Sequence, residues 1–270
     1  MDHDAKKYKA ELLDLYCRIA DTLRENGIRF WGVYGTCLGA VREHGIILWD
    51  DDIDLAVWRS DLDLVLRVLS NSGRGIIAAD SRKLSCAPEY YGRAYNRIDD
   101  NSPTERARAY IDIYAIDRAD DSKVFFLLRS LFLVGLDRIV KRRLGLLTNA
   151  HPIGYLGADL VAFPFRCLPN SVLTHWVRTI YLASRGKRFV KLPYDGRKRR
   201  YPIGIFEKQM LVPFGGVQIP VPVEYDLYLS MLYGNWRQPP PESQRQSHAF
   251  DDETGAWNVQ LPAIHERLLD

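Results

Sequence analysis

Four aspartates within five positions, followed at once by an apolar strand, constrain this chain more than any other feature. The segment is WDDDIDL, residues 49–55, and the apolar strand continues to Trp58. Because side chains alternate along a strand, Asp52 and Asp54 share one face about 7 Å apart, and Asp50 precedes them on the same parity. The pattern therefore predicts carboxylates that converge at the start of a strand.

The aspartate cluster has two interpretations. Carboxylates that converge repel one another unless a divalent cation lies between them. Hard oxygen ligands of this kind suit Mg²⁺ or Mn²⁺, usually together with substrate phosphates. A solvated acidic loop is the alternative, but this cluster leads directly into an apolar strand, which favours the metal site.

A phosphate-binding pattern lies just upstream, in YGTCLGAVR at residues 34–42. It predicts a strand over 29–34, a tight turn at Gly35 and Thr36, and a short helix over 37–43. The free backbone N–H groups and the dipole of a helix N-terminus bind phosphate. Arg42, further along this helix, can add a charge-assisted contact to the same anion. The two patterns together predict a metal ion and a phosphate close to each other.

Hydrophobic periodicity predicts an α/β (α+β) fold. We expect one composite domain over 1–270, with a core over 1–120, a mainly helical insert over 121–188 and an irregular part over 189–270 that completes the site. The expected elements are helices over 5–26 and 60–69, strands over 53–58, 90–98 and 109–116, a mostly helical stretch over 122–185, and short strands and turns from 189 onward.

Composition excludes several classes of protein. With 47% hydrophobic and 26% charged residues the chain is neither disordered nor fibrous, and a net charge of +3 does not indicate nucleic acid as a partner. The four cysteines form no CxxC pair and the N-terminus lacks the apolar region of a signal peptide, so we expect a cytoplasmic protein. P-loop and GxSxG motifs are absent from the sequence.

The block YGTCLGAVREHGIILWDDDID, residues 34–54, resembles the signature of the LicD-like phosphotransferases. This family includes bacterial phosphocholine transferases and fukutin-related ribitol-phosphate transferases. The resemblance continues in YIDIYAID, residues 110–117, where Asp112 matches a third family carboxylate, and in the C-terminal PFGG and YGNW motifs. It implies a polymerase-β-type nucleotidyltransferase-like mixed sheet with a helical insert and an irregular C-terminal region.

The resemblance implies a transferase that moves a phospho-alcohol group from a CDP-activated donor to a hydroxyl of a cell-surface glycan and releases CMP. The alcohol would be choline, ribitol or glycerol, and the acceptor a polysaccharide such as lipopolysaccharide or capsule. A nucleotidyltransferase that moves the NMP group to a small molecule or protein is the alternative, and a non-catalytic scaffold for glycan assembly is another.

The resemblance also implies roles for individual residues. The metal ligands for Mg²⁺ or Mn²⁺ would be Asp52, Asp54 and Asp112, and either Asp50 or Asp112 would accept the proton of the attacking hydroxyl. The groups that would bind the donor and its phosphates are Gly35, Thr36, Arg42, Arg97 and His248. Two departures from the family pattern, Arg97 in place of Lys and Asn235 in place of Asp, bear on the choice of donor and acceptor.

An apolar run over 124–136 is followed by a basic stretch up to Arg143, and a second basic cluster spans 185–200. The apolar run is shorter than the roughly 20 residues that a spanning helix needs. The pattern predicts peripheral contact with anionic lipid at the inner face of the membrane, where the acceptor glycan could be lipid-linked. The alternative is an ordinary core helix with a solvated basic end.

Overall fold

The computed structural model describes residues 3–80, 91–96, 109–143, 156–192, 199–242 and 245. Within these residues the chain has both helices and strands, in runs such as the strands over 76–119 and the helices over 123–182, and most of the strand pairs are antiparallel, which confirms the α+β class. The described residues form two compact units, one from within 1–83, 91–115 and 204–270, the other from within 116–203. The predicted helical insert lies inside the second unit.

The first unit is built on a sheet. Its strands are β1 (Trp31–Gly32), β2 (Ile53–Trp58), β3 (Ile76–Asp80), β4 (Gly92–Asn96) and β5 (Tyr110–Ala119), and the last residues of β5 belong to the second unit. The strand order is β1-β2-β5-β4-β3, and the pairs β1–β2, β3–β4 and β4–β5 are antiparallel.

Helices α1 (His3–Glu25) and α3 (Arg59–Ser70) provide much of the core of this unit. The apolar residues Leu12, Tyr16 and Ile19 of α1 are fully buried at the spacing of one helix face. Gly27, with φ +66°, ends α1 where the sequence predicted its stop. Strand β2 is buried from its first to its fifth residue, so both faces of this strand are covered.

The structure corrects the predicted start of the second helix. Helix α2 is Tyr34–Arg42, so it begins three residues before the expected position, and β1 has only two residues instead of six. Tyr34 adopts φ +49°, which turns the chain sharply enough for the helix to follow the strand directly. As a result, Gly35 and Thr36 form the first turn of α2 and not a separate loop. Strand β3 was not predicted.

The C-terminal part of the first unit supports α2. A hairpin of β8 (Gln209–Phe214) and β9 (Val217–Pro222) turns through two glycines with positive φ, and α7 (Tyr225–Tyr233) follows it. The backbone N–H of Gly215 donates to the carbonyl of His44, which lies just beyond the end of α2, at 2.7 Å. The hydroxyl of Tyr228 accepts from the N–H of Tyr34 at 3.1 Å. Both ends of α2 are therefore held by C-terminal residues.

The second unit is mainly helical, as the sequence predicted for its described part. Its helices are α4 (Lys123–Arg143), α5 (Leu156–Ala162) and α6 (Asn170–Leu182), and its short strands are β6 (Phe189–Lys191), which pairs with the end of β5, and β7 (Tyr201–Pro202). Within the described part of the chain, no helix is long and apolar enough to cross a membrane.

Candidate metal and phosphate site

The carboxylates of Asp50, Asp51 and Asp52 lie together, with one oxygen of each within 4.8 Å of the others. Protein oxygens bind Mg²⁺ or Ca²⁺ at roughly 2.0–2.6 Å, so oxygens at this separation can contact a single divalent ion. The sequence prediction included Asp50 and Asp52 but not Asp51. Alternation along a strand does not apply to these three residues, because β2 begins only at Ile53.

Asp54 of β2 brings a buried carboxylate to the same charged cluster. Burial first, and then the negative charges of Asp52, Asp112 and Asp50, raise the pKa of Asp54 well above its usual value. Its Oδ1 is buried and has no hydrogen-bond partner within the described residues. A buried carboxylate oxygen that lacks a partner and is surrounded by like charges fits a cation ligand.

The pKa of Asp52 is also raised, to about 8, by burial and then by the charges of Asp50, Asp51 and Asp112. The four predicted carboxylates are therefore electrostatically coupled across the loop, β2 and β5. A divalent cation would relieve this repulsion, since it stabilises the charged form of every carboxylate around it.

Asp112 of β5 has a partner that the sequence analysis missed. Arg93, opposite it in the register of β4 and β5, binds both carboxylate oxygens, Nε to Oδ1 at 2.5 Å and Nη2 to Oδ2 at 2.7 Å. The Arg93 guanidinium lies 4.1 Å from the ring centroid of Tyr110 and 5.7 Å from that of Tyr91. The hydroxyl of Tyr114 is 3.3 Å from Asp112 Oδ2. Asp112 thus contributes negative charge to the cluster while its own oxygens contact an arginine.

A second cation, also missed, comes from α1. Lys9 Nζ donates to the carbonyls of Ile47 and Leu48, at 2.7 and 2.9 Å, and so holds the loop that leads into the aspartates. Burial lowers the pKa of Lys9, while the charges of Asp50 and Asp51 oppose that shift. Lys9 lies far from the cluster in the sequence, on a helix that looks like an ordinary amphipathic one.

The first turn of α2 meets the carboxylates, as the sequence predicted. The position of a Cβ on Gly35 would overlap Oδ2 of Asp50, so only glycine leaves room for this carboxylate in its present place. Thr36 Oγ1 accepts from the N–H of Asp54 at 2.8 Å, which fastens α2 to β2. In the described residues no acceptor contacts the amides of Gly35 and Thr36, and both can therefore face an anion.

Arg42 lies at the end of α2 and is largely engaged by the protein. Its Nε donates to Glu43 Oε1 at 2.9 Å and its Nη1 to the carbonyl of Trp236 at 3.1 Å. Its Nη2 is buried and has no hydrogen-bond partner among the residues described here. The predicted donor-binding residues Arg97 and His248 lie outside the described residues.

Comparison with known proteins matches residues 27–127 to the family LicD/FKTN/FKRP, nucleotidyltransferase domain. An uncharacterized protein of Rickettsia prowazekii (strain Madrid E) is 42% identical over 66 residues, which are 22% of this chain and 25% of that protein. A protein of Rickettsia typhi is 41% identical over 66 residues, 22% of this chain and 21% of the relative. Ribitol-5-phosphate transferase FKTN of Mus musculus is 37% identical over 65 residues, 23% of this chain and 14% of the mouse protein.

The chain therefore aligns with a quarter or less of the length of each of these relatives. The family match nevertheless contains α2, the loop with the aspartates, β2, β4 and the part of β5 that carries Asp112. All the carboxylates described above lie inside it. Residues 27–127 of this chain thus match the nucleotidyltransferase domain of the LicD/FKTN/FKRP family, in agreement with the resemblance that residues 34–54 show.

Proposed function

We propose that this chain is a metal-dependent transferase that moves a phospho-alcohol group from a CDP-activated donor to a hydroxyl of a cell-surface glycan and releases CMP. The alcohol is choline or a polyol such as ribitol or glycerol. The observation that carries the proposal is the coupled, buried carboxylate cluster beside the first turn of α2, inside a LicD-type domain. The printed name of the mouse relative, a ribitol-5-phosphate transferase, supports the class of reaction.

The residues present fit a divalent ion. Asp50, Asp51 and Asp52 have oxygens close enough to share it, and Asp54 offers a buried oxygen without a partner. When bound, Mg²⁺ or Mn²⁺ would neutralise charge on the transferred phosphoryl group and on the departing CMP. Asp112 can complete the predicted ligand set only if one of its oxygens leaves Arg93. As a ligand of the ion we therefore rank it below the other four aspartates.

Protein groups on α2 would bind the donor phosphates. The amides of Gly35 and Thr36 point out of a helix N-terminus that has no acidic residue in its first turn. The hydroxyl of Thr36 binds β2 instead, since its oxygen accepts a hydrogen bond from the backbone N–H of Asp54. Arg42 contributes through Nη2, and Arg97 and His248 keep their predicted roles as donor-binding residues.

Asp50 is the stronger of the two proposed proton acceptors, because it offers one oxygen to the ion and keeps the other for a proton. Both oxygens of Asp112 accept charge-assisted hydrogen bonds from Arg93, which reduces their ability to take another proton. Asp50 lies against Gly35, where the phosphates would be held, so its carboxylate is well placed to take the proton of an attacking hydroxyl.

A screen of CDP-choline, CDP-ribitol and CDP-glycerol, read out as CMP release with Mg²⁺ or Mn²⁺, tests the proposal. We expect release with one donor class, and its loss in Asp52→Asn. Asp21→Asn is the matched control, because Asp21 is 58% exposed and, among the described residues, pairs with Arg24 of the same helix. Lack of CMP release with all three donors, in the presence of glycan acceptor, would contradict the proposal.

A nucleotidyltransferase is the second candidate, because the matched family model describes a nucleotidyltransferase domain. The two reactions leave different masses on the acceptor, which gains either the phospho-alcohol or the nucleotide. Mass spectrometry of the product therefore distinguishes them. A scaffold role would instead be indicated if Mn²⁺ failed to bind in a calorimetric titration.

A further inference from the structure

We propose that the second unit docks on an anionic membrane through an exposed apolar face formed by α4 and α5. We call this the apolar face, and its main side chains are Val124, Phe125, Leu128, Leu156, Leu160 and Phe163. Their exposed fractions run from 56% to 68%. The proposal does not depend on the transfer reaction.

Helix α4 has two different halves. In the second half, Leu133, Leu136 and Val140 are buried in one apolar cluster with residues of α6, so this half is core. In the first half, Phe125 is 68% and Val124 64% exposed. The alternative interpretation of the sequence, a plain core helix, thus applies to one half of α4 only. Large apolar side chains concentrated at one exposed place mark an interaction surface.

The exposed parts of α4 and α5 adjoin each other. The two helices pack closely at Gly135, where a Cβ would overlap the carbonyl of Ala158. At the start of α5, the Cβ position of Gly157 is 3.9 Å from Cδ1 of Leu131, which lies one turn beyond Leu128. Leu160 follows Leu156 by four residues and therefore shares its side of α5.

The charges around this face select an anionic partner. Residues 122–185 contain nine Lys and Arg but only two acidic residues, Asp137 and Asp159. Asp137 is buried, and Asp159 is bound by Arg138 at 2.9 Å and Arg142 at 2.8 Å. Across 122–143 and 156–185, the charged side chains that are exposed are all basic, namely Lys123, Arg142, Arg143, Arg166 and Arg185.

An anionic bilayer can bind both features, because its acyl chains contact the apolar face and its headgroup phosphates contact the basic side chains. The guanidinium of Arg166 illustrates the arrangement, since it lies 4.0 Å from the ring centroid of the exposed Phe163.

The structure also revises the second basic cluster predicted to contact lipid. Lys191 is buried, donates to the carbonyl of Tyr181 at 3.0 Å and belongs to the interior. Arg200 donates to the carbonyls of Asp120 and Asp121, at 2.6 and 2.7 Å. Residues 193–198 lie outside the described residues. The basic residues that adjoin the apolar face are those of α4 and of the turn after α5.

Vesicle co-sedimentation of the whole chain tests the proposal, with phosphatidylcholine vesicles against vesicles that also contain phosphatidylglycerol. We expect binding only to the anionic vesicles, and a decrease with added salt. The double variant Phe125→Ser/Leu160→Ser should remove binding. Lys123→Gln and Arg166→Gln should each weaken it by about fivefold at low salt. Leu211→Ser is the matched control, because Leu211 is 56% exposed but belongs to β8 in the first unit.

Circular dichroism melting of each variant confirms that the fold is retained. Equal binding to neutral and anionic vesicles, or binding to neither, overturns the proposal. Concentration-dependent self-association that Phe125→Ser/Leu160→Ser abolishes, without any vesicle binding, also overturns it and assigns the face to a second copy of the chain. Loss of binding in Leu211→Ser to the same extent would likewise overturn it.

Discussion

Replacing Arg93 by methionine should lower the free energy of unfolding by about 3–5 kcal/mol, the usual effect of removing one partner of a buried ion pair. The side chains of Asp112 and Arg93 are only 6% and 17% exposed, and the pair is bidentate. Without the guanidinium, Asp112 would be an unpaired buried charge close to the carboxyl groups of Asp52 and Asp54. Such a loss corresponds to a decrease in Tm of roughly 10 °C for a protein of this size.

Urea unfolding followed by tryptophan fluorescence measures the effect, with EDTA present so that bound metal does not contribute. Arg67→Met is the control, since Arg67 is exposed on α3, and it should change the free energy of unfolding by less than about 0.5 kcal/mol. The double variant Arg93→Met/Asp112→Leu should be more stable than Arg93→Met alone, because the buried charge is gone. A loss below about 1 kcal/mol in Arg93→Met, or a double variant less stable than the single one, would refute the reasoning.

The remaining predictions concern the carboxylates and α2. Asp52→Asn and Asp54→Asn should each abolish transfer and weaken Mn²⁺ binding in calorimetry while the fold is kept; near-normal turnover at saturating Mg²⁺ would count against the metal site. Gly35→Ala should lower activity by at least about tenfold, because the Cβ of the alanine would displace the carboxylate of Asp50. We expect this loss even though alanine favours a helix over glycine by about 1 kcal/mol. Unchanged turnover would contradict the prediction. The folded protein keeps Asp52 and Asp54 protonated at pH values where the unfolded chain releases those protons. In EDTA the free energy of unfolding should therefore fall by a few kcal/mol as the pH rises from about 4 to about 8, and Mg²⁺ should restore it at pH 8. Urea titrations that show the opposite slope would exclude the raised pKa values. Arg42→Ala should raise the KM for the donor more than it lowers Tm, and a large drop in Tm with an unchanged KM would make Arg42 purely structural.

Several features of this protein could be predicted from the sequence because they depend on local periodicity. The apolar residues of α1 recur at helical spacing, and β2 is a short continuous apolar run, so both elements were predicted within two residues of their observed bounds. Chain proximity also placed Asp52 and Asp54 beside the start of α2, since the motif joins them through one loop. The LicD resemblance was predicted from the same motif and agrees with the family match over 27–127.

Other features depend on the tertiary structure because they join residues that are distant in sequence. Arg93 meets Asp112 only through the register of β4 and β5, and Lys9 reaches the loop before the aspartates only through the packing of α1. Neither residue belongs to a motif, so periodicity and spacing contain no signal for them. The same holds for burial along α4, which has large apolar residues in both halves, so its sequence does not distinguish the half that packs against α6 from the half that is exposed. The sequence by itself determined which residues carry the charges and where most helices and strands form. Tertiary packing decided which carboxylates lie close together, which one pairs with an arginine and which apolar side chains face outward, because register and burial depend on contacts that no local pattern encodes.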